Sequence, residues 1–333
     1  MSVLSCVLAT TVSISYATDL SEDFRAGKLD ERWCTCQIAQ NRPVTFDSDP
    51  QEVGDKHAQI TVDPSITDNK CEESEEIECD VPNGGKIPNG SAFKRDDEFP
   101  DDLGPSFIQG LSDHTILKSD TSVVQRQELR LTNDLEHDSA ATHEYAITFR
   151  TTKHEFSTRT RWITAQWKQE PLPSYGDGWS PSPFLAQRYD GGILNLTVQD
   201  ENCRCLIASA KAPSQTFKWE EGALSQCKVT YPTKDEGEAC TSALVANYGS
   251  NPWLDPPTSG WTEMRYLIKA GRDDRDFIEV HQDGRFIVRI SGKIGYVPAP
   301  GTTIKTKFKM GHYRNYTPST DVLEVDSVRV SPK

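Results

Sequence analysis

The chain has 333 residues, 35% hydrophobic and 26% charged, which is enough apolar content for a sizeable core and excludes disorder throughout. Lys+Arg number 36 against 50 Asp+Glu, and the net charge of −14 excludes nucleic-acid binding driven by overall charge, so any polyanion needs a local basic cleft.

Residues 1–17 carry no charged side chain, are apolar from Val3 to Ile14 and end in Ser15-Tyr16-Ala17, a small-x-small cleavage pattern. They read as a signal peptide cut after Ala17, followed by one domain over 18–333 in a protein expected to be secreted or periplasmic. No other stretch approaches the roughly 18 apolar residues of a membrane span, so no membrane partner is expected. Cys6 falls in the signal, leaving Cys34, Cys36, Cys71, Cys79, Cys203, Cys205, Cys227 and Cys240. An even number behind an export signal points to disulfides, with Cys71–Cys79 and Cys227–Cys240 as the local pairings. Zinc is disfavoured, because Cys-x-Cys lacks the Cys-x-x-Cys spacing of the usual tetrahedral sites.

Leu20-Ser-Glu-Asp-Phe24 through Ile38 opens the domain with apolar residues spaced for an edge strand. Residues 63–105 are rich in Asp, Glu, Pro, Gly and Asn, including Glu72-Glu-Ser-Glu-Glu-Ile-Glu78, and read as an acidic surface insertion. Its carboxylates can hold a structural calcium, a hard cation that takes oxygen ligands, although a solvated acidic loop is the commoner outcome. No other cofactor is expected.

Beyond Ser122 the pattern is β throughout, with strands expected at Val123–Leu131, Tyr145–Thr151, Arg159–Trp167, Ile193–Gln199, Met264–Ala270, Phe277–His281, Phe286–Ile290, Lys305–Tyr313 and Val322–Val330. Asp283-Gly284 marks a two-residue hairpin, since both central residues of that turn need positive φ. Short strands separated by turns imply an all-β sandwich or jelly roll of two antiparallel sheets in one domain. No repeat or linker divides it, and a monomer is expected.

Three of these strands carry long polar side chains at period two. Arg126, Glu128 and Arg130 share one face of the first, and Thr164, Gln166 and Lys168 share a face of the second while Ile163, Ala165 and Trp167 point away. On the third, Lys307, Lys309, Gly311 and Tyr313 share a face, and Gly311 leaves room for a ligand or another backbone. Positive charges beside a tyrosine favour its ionised form, which makes Tyr313 a candidate for proton transfer. Each face alone also fits a solvated ion-pair surface of little energetic consequence. Together they suit the concave side of a sheet that holds an anionic polymer, because Arg and Lys bind carboxylates and Gln can hydrogen-bond them.

Arg126-Gln-Glu-Leu-Arg130, Gln166-Trp167-Lys168 and Phe308-Lys309-Met-Gly-His-Tyr313-Arg314 resemble the motif strands of jelly-roll polysaccharide lyases, the group of heparin lyase I, glucuronan lyases and alginate lyases. The resemblance spans roughly 123–330, and Lys-x-Gly-x-Tyr-Arg is its most specific element. It implies secreted β-elimination on a uronic-acid-containing polysaccharide in a concave cleft. Arg126, Arg130 and Gln166 would bind the carboxylate and stabilise the charge that develops as the C5 proton leaves. Tyr313, with Lys309 nearby, would donate to the leaving oxygen and can also serve as base. Relatives commonly have His two residues after the motif Gln, where this chain has Lys168. The base is therefore open between Tyr313 assisted by Lys168 and a histidine from elsewhere, His143 or His312, the latter alternating to the face opposite Tyr313. Glu128, Lys307, Lys309, Arg314, Arg188, Tyr189 and Trp179 are further substrate contacts, with Glu128 orienting its flanking arginines. Trp253 shares with Trp179 a loop setting suited to stacking on sugars. A glycoside hydrolase, which needs two carboxylates flanking the bond, and a non-catalytic carbohydrate-binding module are the competing readings.

Overall fold

The computed structural model describes residues 19–48, 55–63, 65–66, 124–132, 135–153, 162–170, 182–190, 192–201, 203–210, 219–229, 238–256, 260–298, 300–315 and 319–333. The signal-peptide segment, nearly all of the acidic insertion with Cys71 and Cys79, and Trp179 lie outside them.

The strands, in chain order, are β1 (Leu20–Glu22), β2 (Trp33–Gln37), β3 (Thr45–Ser48), β4 (Lys56–Val62), β5 (Val124–Leu131), β6 (His137–Asp138), β7 (His143–Lys153), β8 (Trp162–Glu170), β9 (Leu185–Asp190), β10 (Ile193–Asp200), β11 (Cys203–Ala210), β12 (Gly222–Ala223), β13 (Cys227–Val229), β14 (Val245–Tyr248), β15 (Trp253–Leu254), β16 (Thr262–Lys269), β17 (Phe277–Gln282), β18 (Arg285–Ser291), β19 (Lys305–Asn315) and β20 (Asp321–Pro332). They form two 10-stranded sheets packed as a jelly-roll sandwich. Sheet A runs β12-β14-β18-β17-β16-β7-β20-β4-β3 with β1 beside β20, and sheet B runs β13-β11-β10-β9-β8-β19-β5-β2 with β15 beside β11 and β6 beside β19. Pairing is antiparallel apart from the short β11–β15 contact. No helix among the described residues is long and apolar enough to cross a membrane.

Period-two alternation drives this architecture. In β16, Thr262, Met264, Tyr266 and Ile268 are buried while the intervening residues are half-exposed, so one face packs and the other meets water. Asp283 (φ 50°) and Gly284 (φ 76°) turn β17 into β18 as expected for a tight hairpin. Behind the strands of interest, Trp167 on β8 meets Tyr145 of sheet A at 5.6 Å, Tyr266 of sheet A at 4.6 Å and Phe308 on β19 at 5.1 Å between ring centroids. Rings of this size stabilise by about 1.5–3 kcal/mol each when buried, so the inner faces of β8 and β19 are firmly held. Polar ties also cross the sandwich: Gln127 Nε2 donates to Thr61 O at 3.1 Å, and His312 Nε2 lies 2.8 Å from Ile60 O.

The disulfides correct one expectation. Cys205 pairs with Cys227 and Cys203 with Cys240, rather than Cys227 with Cys240. The cause is topological: β11 and β13 are antiparallel neighbours with Cys205 directly opposite Cys227, so the Cys-x-Cys strand lies beside both partners. Cys34 and Cys36 are also disulfide-bonded.

Candidate active site

β19 lies between β5 and β8, so the three motif strands are adjacent in sheet B. Lys309 faces Arg130 across one side and Gln166 across the other. Gly311 faces Glu128, Tyr313 faces Arg126 and Ile163, and Lys307 faces Lys168. The apolar sides of the same strands, with Phe308, Met310, Leu129 and Trp167, enter the core, which leaves the polar residues on the outer face.

One local distortion shapes the site. Two β19 residues, Gly311 and His312, stand opposite one β8 residue, Thr164, and Thr164 is itself an extra residue against β9. Gly311 has φ 138°, and a Cβ there would lie 2.1 Å from Gln127 O, so the glycine admits another backbone, that of β5. The bulge also reverses the expected face of Thr164. Gln187 Nε2 donates to its hydroxyl at 2.9 Å, and Gln187 Oε1 accepts from Tyr266 Oη of sheet A at 2.6 Å, so Thr164 points inward. Ile163, expected inward, packs with Tyr313 and Ala186 instead.

Glu128 organises the outer face. It is 1% exposed, Gln166 Nε2 donates to its Oε1, and Arg126 Nε lies 3.6 Å from its Oε2. The Arg126 guanidinium sits 4.4 Å from the centre of the Tyr313 ring, a cation–π contact. Glu128 thus holds the side chains of Gln166 and Arg126 together. Arg130 and Gln166 are buried, and Tyr313 is 6% exposed.

The lysines of this face differ sharply. Burial opposes the charge of Lys307, but Glu170 and Glu136 outweigh it and raise its pKa; its Nζ is 3.3 Å from Glu136 Oε1 and also pairs with Glu170. Glu136 is pushed up by burial against the pull of Lys307, whereas in Glu170 the neighbouring Lys307 and Lys168 overcome burial and lower the pKa. Lys309 is lowered to about 7 by burial, with Glu128 opposing and Lys168, Arg126 and Arg130 reinforcing the shift. Its Nζ donates to Gln37 Oε1 on β2 at 3.2 Å. Lys168 is also lowered, chiefly by burial.

Six sequence-based candidates lie buried or away from the face of Tyr313. Arg314 is fully buried on the inner side, paired with Asp321 and donating to Gln125 Oε1 at 2.8 Å, because it alternates away from Tyr313. Tyr189 is 1% exposed and stacks at 4.7 Å on the core residue Trp162, so it cannot reach substrate from a strand end. His312 stacks on the same Trp162 at 5.2 Å and faces the interior, with Nε2 2.8 Å from Ile60 O. His143 belongs to sheet A and stacks 3.3 Å from His137, where burial lowers its pKa; neither histidine reaches Tyr313's face. Arg188 does share that face, opposite Ile163, but it is 1% exposed and paired at 2.8 Å with Asp190. Trp253 lies on β15 at the far side of β11, 5.6 Å from Trp219 and remote from β19.

Sequence reading missed Gln37, Glu136 and Glu170. Glu170 was accessible in principle, two residues beyond Lys168 on the same strand, whereas Gln37 arrives through long-range pairing of β2 with β5. Among the described residues no cluster of three or more His, Cys, Asp or Glu can hold a metal ion, and the acidic stretch considered for calcium lies outside them.

No family model matches the chain, and no curated protein matches it in sequence. Among solved structures it is similar to the endo-β-1,4-glucuronan lyase from the fungus Trichoderma reesei, at 10% identity over 90% of this chain and 94% of that one, with a TM-score of 0.44. It is also similar to the family 7 alginate lyase A1-II′ in complex with substrate, at 13% identity over 91% and 93% with a TM-score of 0.43. A third is alginate lyase AlgAT5 from polysaccharide lyase family 7, at 12% identity over 91% and 95% with a TM-score of 0.41.

Proposed function

We propose that the protein is a secreted polysaccharide lyase that cleaves a uronic-acid-containing polymer of the glucuronan, alginate or heparin-like type by β-elimination. The observation that carries this reading is the cation-rich outer face of β5, β19 and β8, where Arg126, Arg130, Lys168 and Lys309 lie around Glu128, a carboxylate already engaged by Gln166 and Arg126, while Glu136 and Glu170 are taken up by Lys307. A uronate carboxylate supplies the missing negative charge. Neutralised by Arg126, Arg130 and Gln166, it makes the C5 proton acidic by stabilising the enolate-like charge that forms as the proton leaves. Tyr313, held under the Arg126 guanidinium, donates its hydroxyl proton to the departing 4-linked oxygen. The four disulfide-bonded cysteines of β11, β13 and the following loop support an oxidising, extracytoplasmic setting.

A glycoside hydrolase draws on one observation, the Glu136 and Glu170 carboxylates that share Lys307. Product chemistry separates the readings. Incubation with glucuronan, alginate, heparin-type and pectic polymers should yield fragments with a conjugated C4–C5 double bond and ultraviolet absorbance. Reducing ends without that absorbance would establish hydrolysis, and binding without either product would leave a recognition module.

A further inference from the structure

Elimination needs a base as well as an acid, and both histidines considered for that role face the interior. We propose, resting on the elimination reading above, that Lys309 is the base, acting as a neutral amine across the gap over Gly311 from Tyr313.

Position is the first argument. Lys309 is on the central strand, between Arg130 and Gln166, the two groups assigned to the uronate carboxylate, and C5 is the carbon that bears this carboxylate. Four residues along the same face stands Tyr313, and the residue between them on that face, Gly311, has no side chain. An extended strand covers roughly 13 Å over four residues, and a bulge shortens it, so two long side chains leaning over Gly311 bracket a space of about one sugar ring.

Partnership is the second argument. Lys307, two residues away, holds Glu136 and Glu170. Among the described residues the amine of Lys309 contacts one neutral acceptor, Gln37 Oε1, and no carboxylate in ion-pair range. The charged groups facing it are Arg126, Glu128 and Arg130 from β5, Lys168 and Glu170 from β8, and Lys307 on its own strand, while β2 contributes only Gln37. Cations dominate this ring, and the nearest carboxylate, Glu128, is engaged by Gln166 and Arg126. An ammonium so placed is easily deprotonated, in line with its pKa of about 7.

In the step itself the Nζ lone pair takes the C5 proton, the C5–H electrons become the C4–C5 double bond, and the C4–O bond breaks toward the leaving oxygen. That oxygen receives the Tyr313 proton. The resulting Lys309 ammonium and Tyr313 phenolate are restored by a net proton transfer through solvent, so the cycle consumes only the polymer.

The test uses the full mature enzyme and the uronan on which it is most active. Lys309→Arg keeps a cation but removes the base, so kcat should fall roughly 10²–10⁴-fold with KM little changed. Lys309→Cys alkylated with 2-bromoethylamine restores a less basic amine; it should regain activity over its untreated form, with the acid limb of kcat/KM moved to lower pH than in identically treated wild type. Near-normal kcat in Lys309→Arg, or an unmoved acid limb in the alkylated enzyme, overturns the proposal. If these variants do not fold, NMR titration of ¹³C-labelled lysines in wild type decides: one lysine resonance should titrate near neutrality, and the absence of any such resonance overturns it. Wild type that gives no unsaturated product from any uronan defeats the elimination reading itself, whereas an active wild type with an indifferent Lys309 defeats only this assignment.

Discussion

The outer faces of the two sheets carry clusters built from the same parts. On sheet A, Glu324 pairs with Arg150, accepts from Gln59 Nε2 at 2.9 Å and lies 3.5 Å from His57 Nε2, while the Arg150 guanidinium sits 4.3 Å from the Trp261 ring centre. On sheet B, Glu128 accepts from Gln166 and approaches Arg126, which sits 4.4 Å from the Tyr313 ring centre. Carboxylate, amide, arginine and aromatic recur, so this pattern alone does not mark a site. The difference lies in what surrounds the carboxylate. Around Glu324 Arg150 is joined by Gln59 and His57, whereas Glu128 is ringed in addition by Arg130, Lys168 and Lys309. A cluster with balanced charge is complete as folded, and one with excess cation gains from an incoming anion.

The largest expected effect breaks the comparison at its aromatic member. Tyr313→Phe keeps the ring, its packing on Ile163 and the Arg126 contact, and removes only the hydroxyl. Turnover, followed by the absorbance of the unsaturated product, should fall roughly 10²–10⁴-fold with the thermal transition preserved. Trp261→Phe, its counterpart on sheet A, should leave turnover unchanged. Near-normal turnover in Tyr313→Phe would make the two clusters equivalent and remove the proton-transfer role from this strand.

Much of this contrast was legible in the chain itself. The nine strands read from periodicity beyond Ser122 all form, because side-chain period two and hairpin chemistry are local properties, and the three polar strands lie side by side although distant in sequence, as their matching polar faces and the family resemblance imply. Where the reading failed, a long-range or aperiodic feature decided. Thr164 points inward because a bulge reverses the alternation, and bulges arise from partner strands rather than from the strand's own pattern. Arg314 belonged to the matching motif but obeys alternation, which places it against Asp321 in the core. Strict period two applied to Arg314 would have excluded it. Lys56–Val62 has no strand assigned from the sequence, yet its alternate residues Ala58, Ile60 and Val62 are fully packed in the core. The contrast between Lys307 and Lys309 was invisible, since it depends on Glu136 and Gln37 arriving from β-pairings distant in sequence.

A smaller effect sharpens the comparison through pH. In the unfolded chain Lys309 holds its proton to about 10.5, and in the folded protein only to about 7. Between those values the unfolded state binds more protons, so this group makes wild-type stability climb as pH rises from about 7 to 10.5. Lys309→Met removes that climb. The variant should exceed wild type in stability below pH 7, by on the order of a few kcal/mol at most, and the gain should vanish toward pH 10.5. Denaturant unfolding at several pH values measures it. A variant no more stable than wild type at low pH would show that Lys309 is compensated, as Lys307 is.

The smallest effect tests the sheet A cluster from its own side. Arg150→Met keeps much of the side chain's contact with Trp261 but removes the guanidinium that pairs with Glu324. Glu324 is 6% exposed, and its carboxylate would retain the hydrogen bond from Gln59. That partial compensation limits the loss of stability to about 1–3 kcal/mol, the cost of leaving a buried polar group incompletely satisfied. Turnover per folded molecule should not change, since no residue of this cluster lies on sheet B. The same change at Arg126 should act the other way round: it relieves cation crowding around Glu128, so stability should suffer less, while turnover should fall because a uronate carboxylate loses its counter-charge. Measuring both variants by denaturant unfolding and by initial rates gives a crossed pattern if the excess of cation defines the site. Equal losses of stability at both positions, with turnover per folded molecule unaffected at either, would mean that charge balance does not distinguish the two faces.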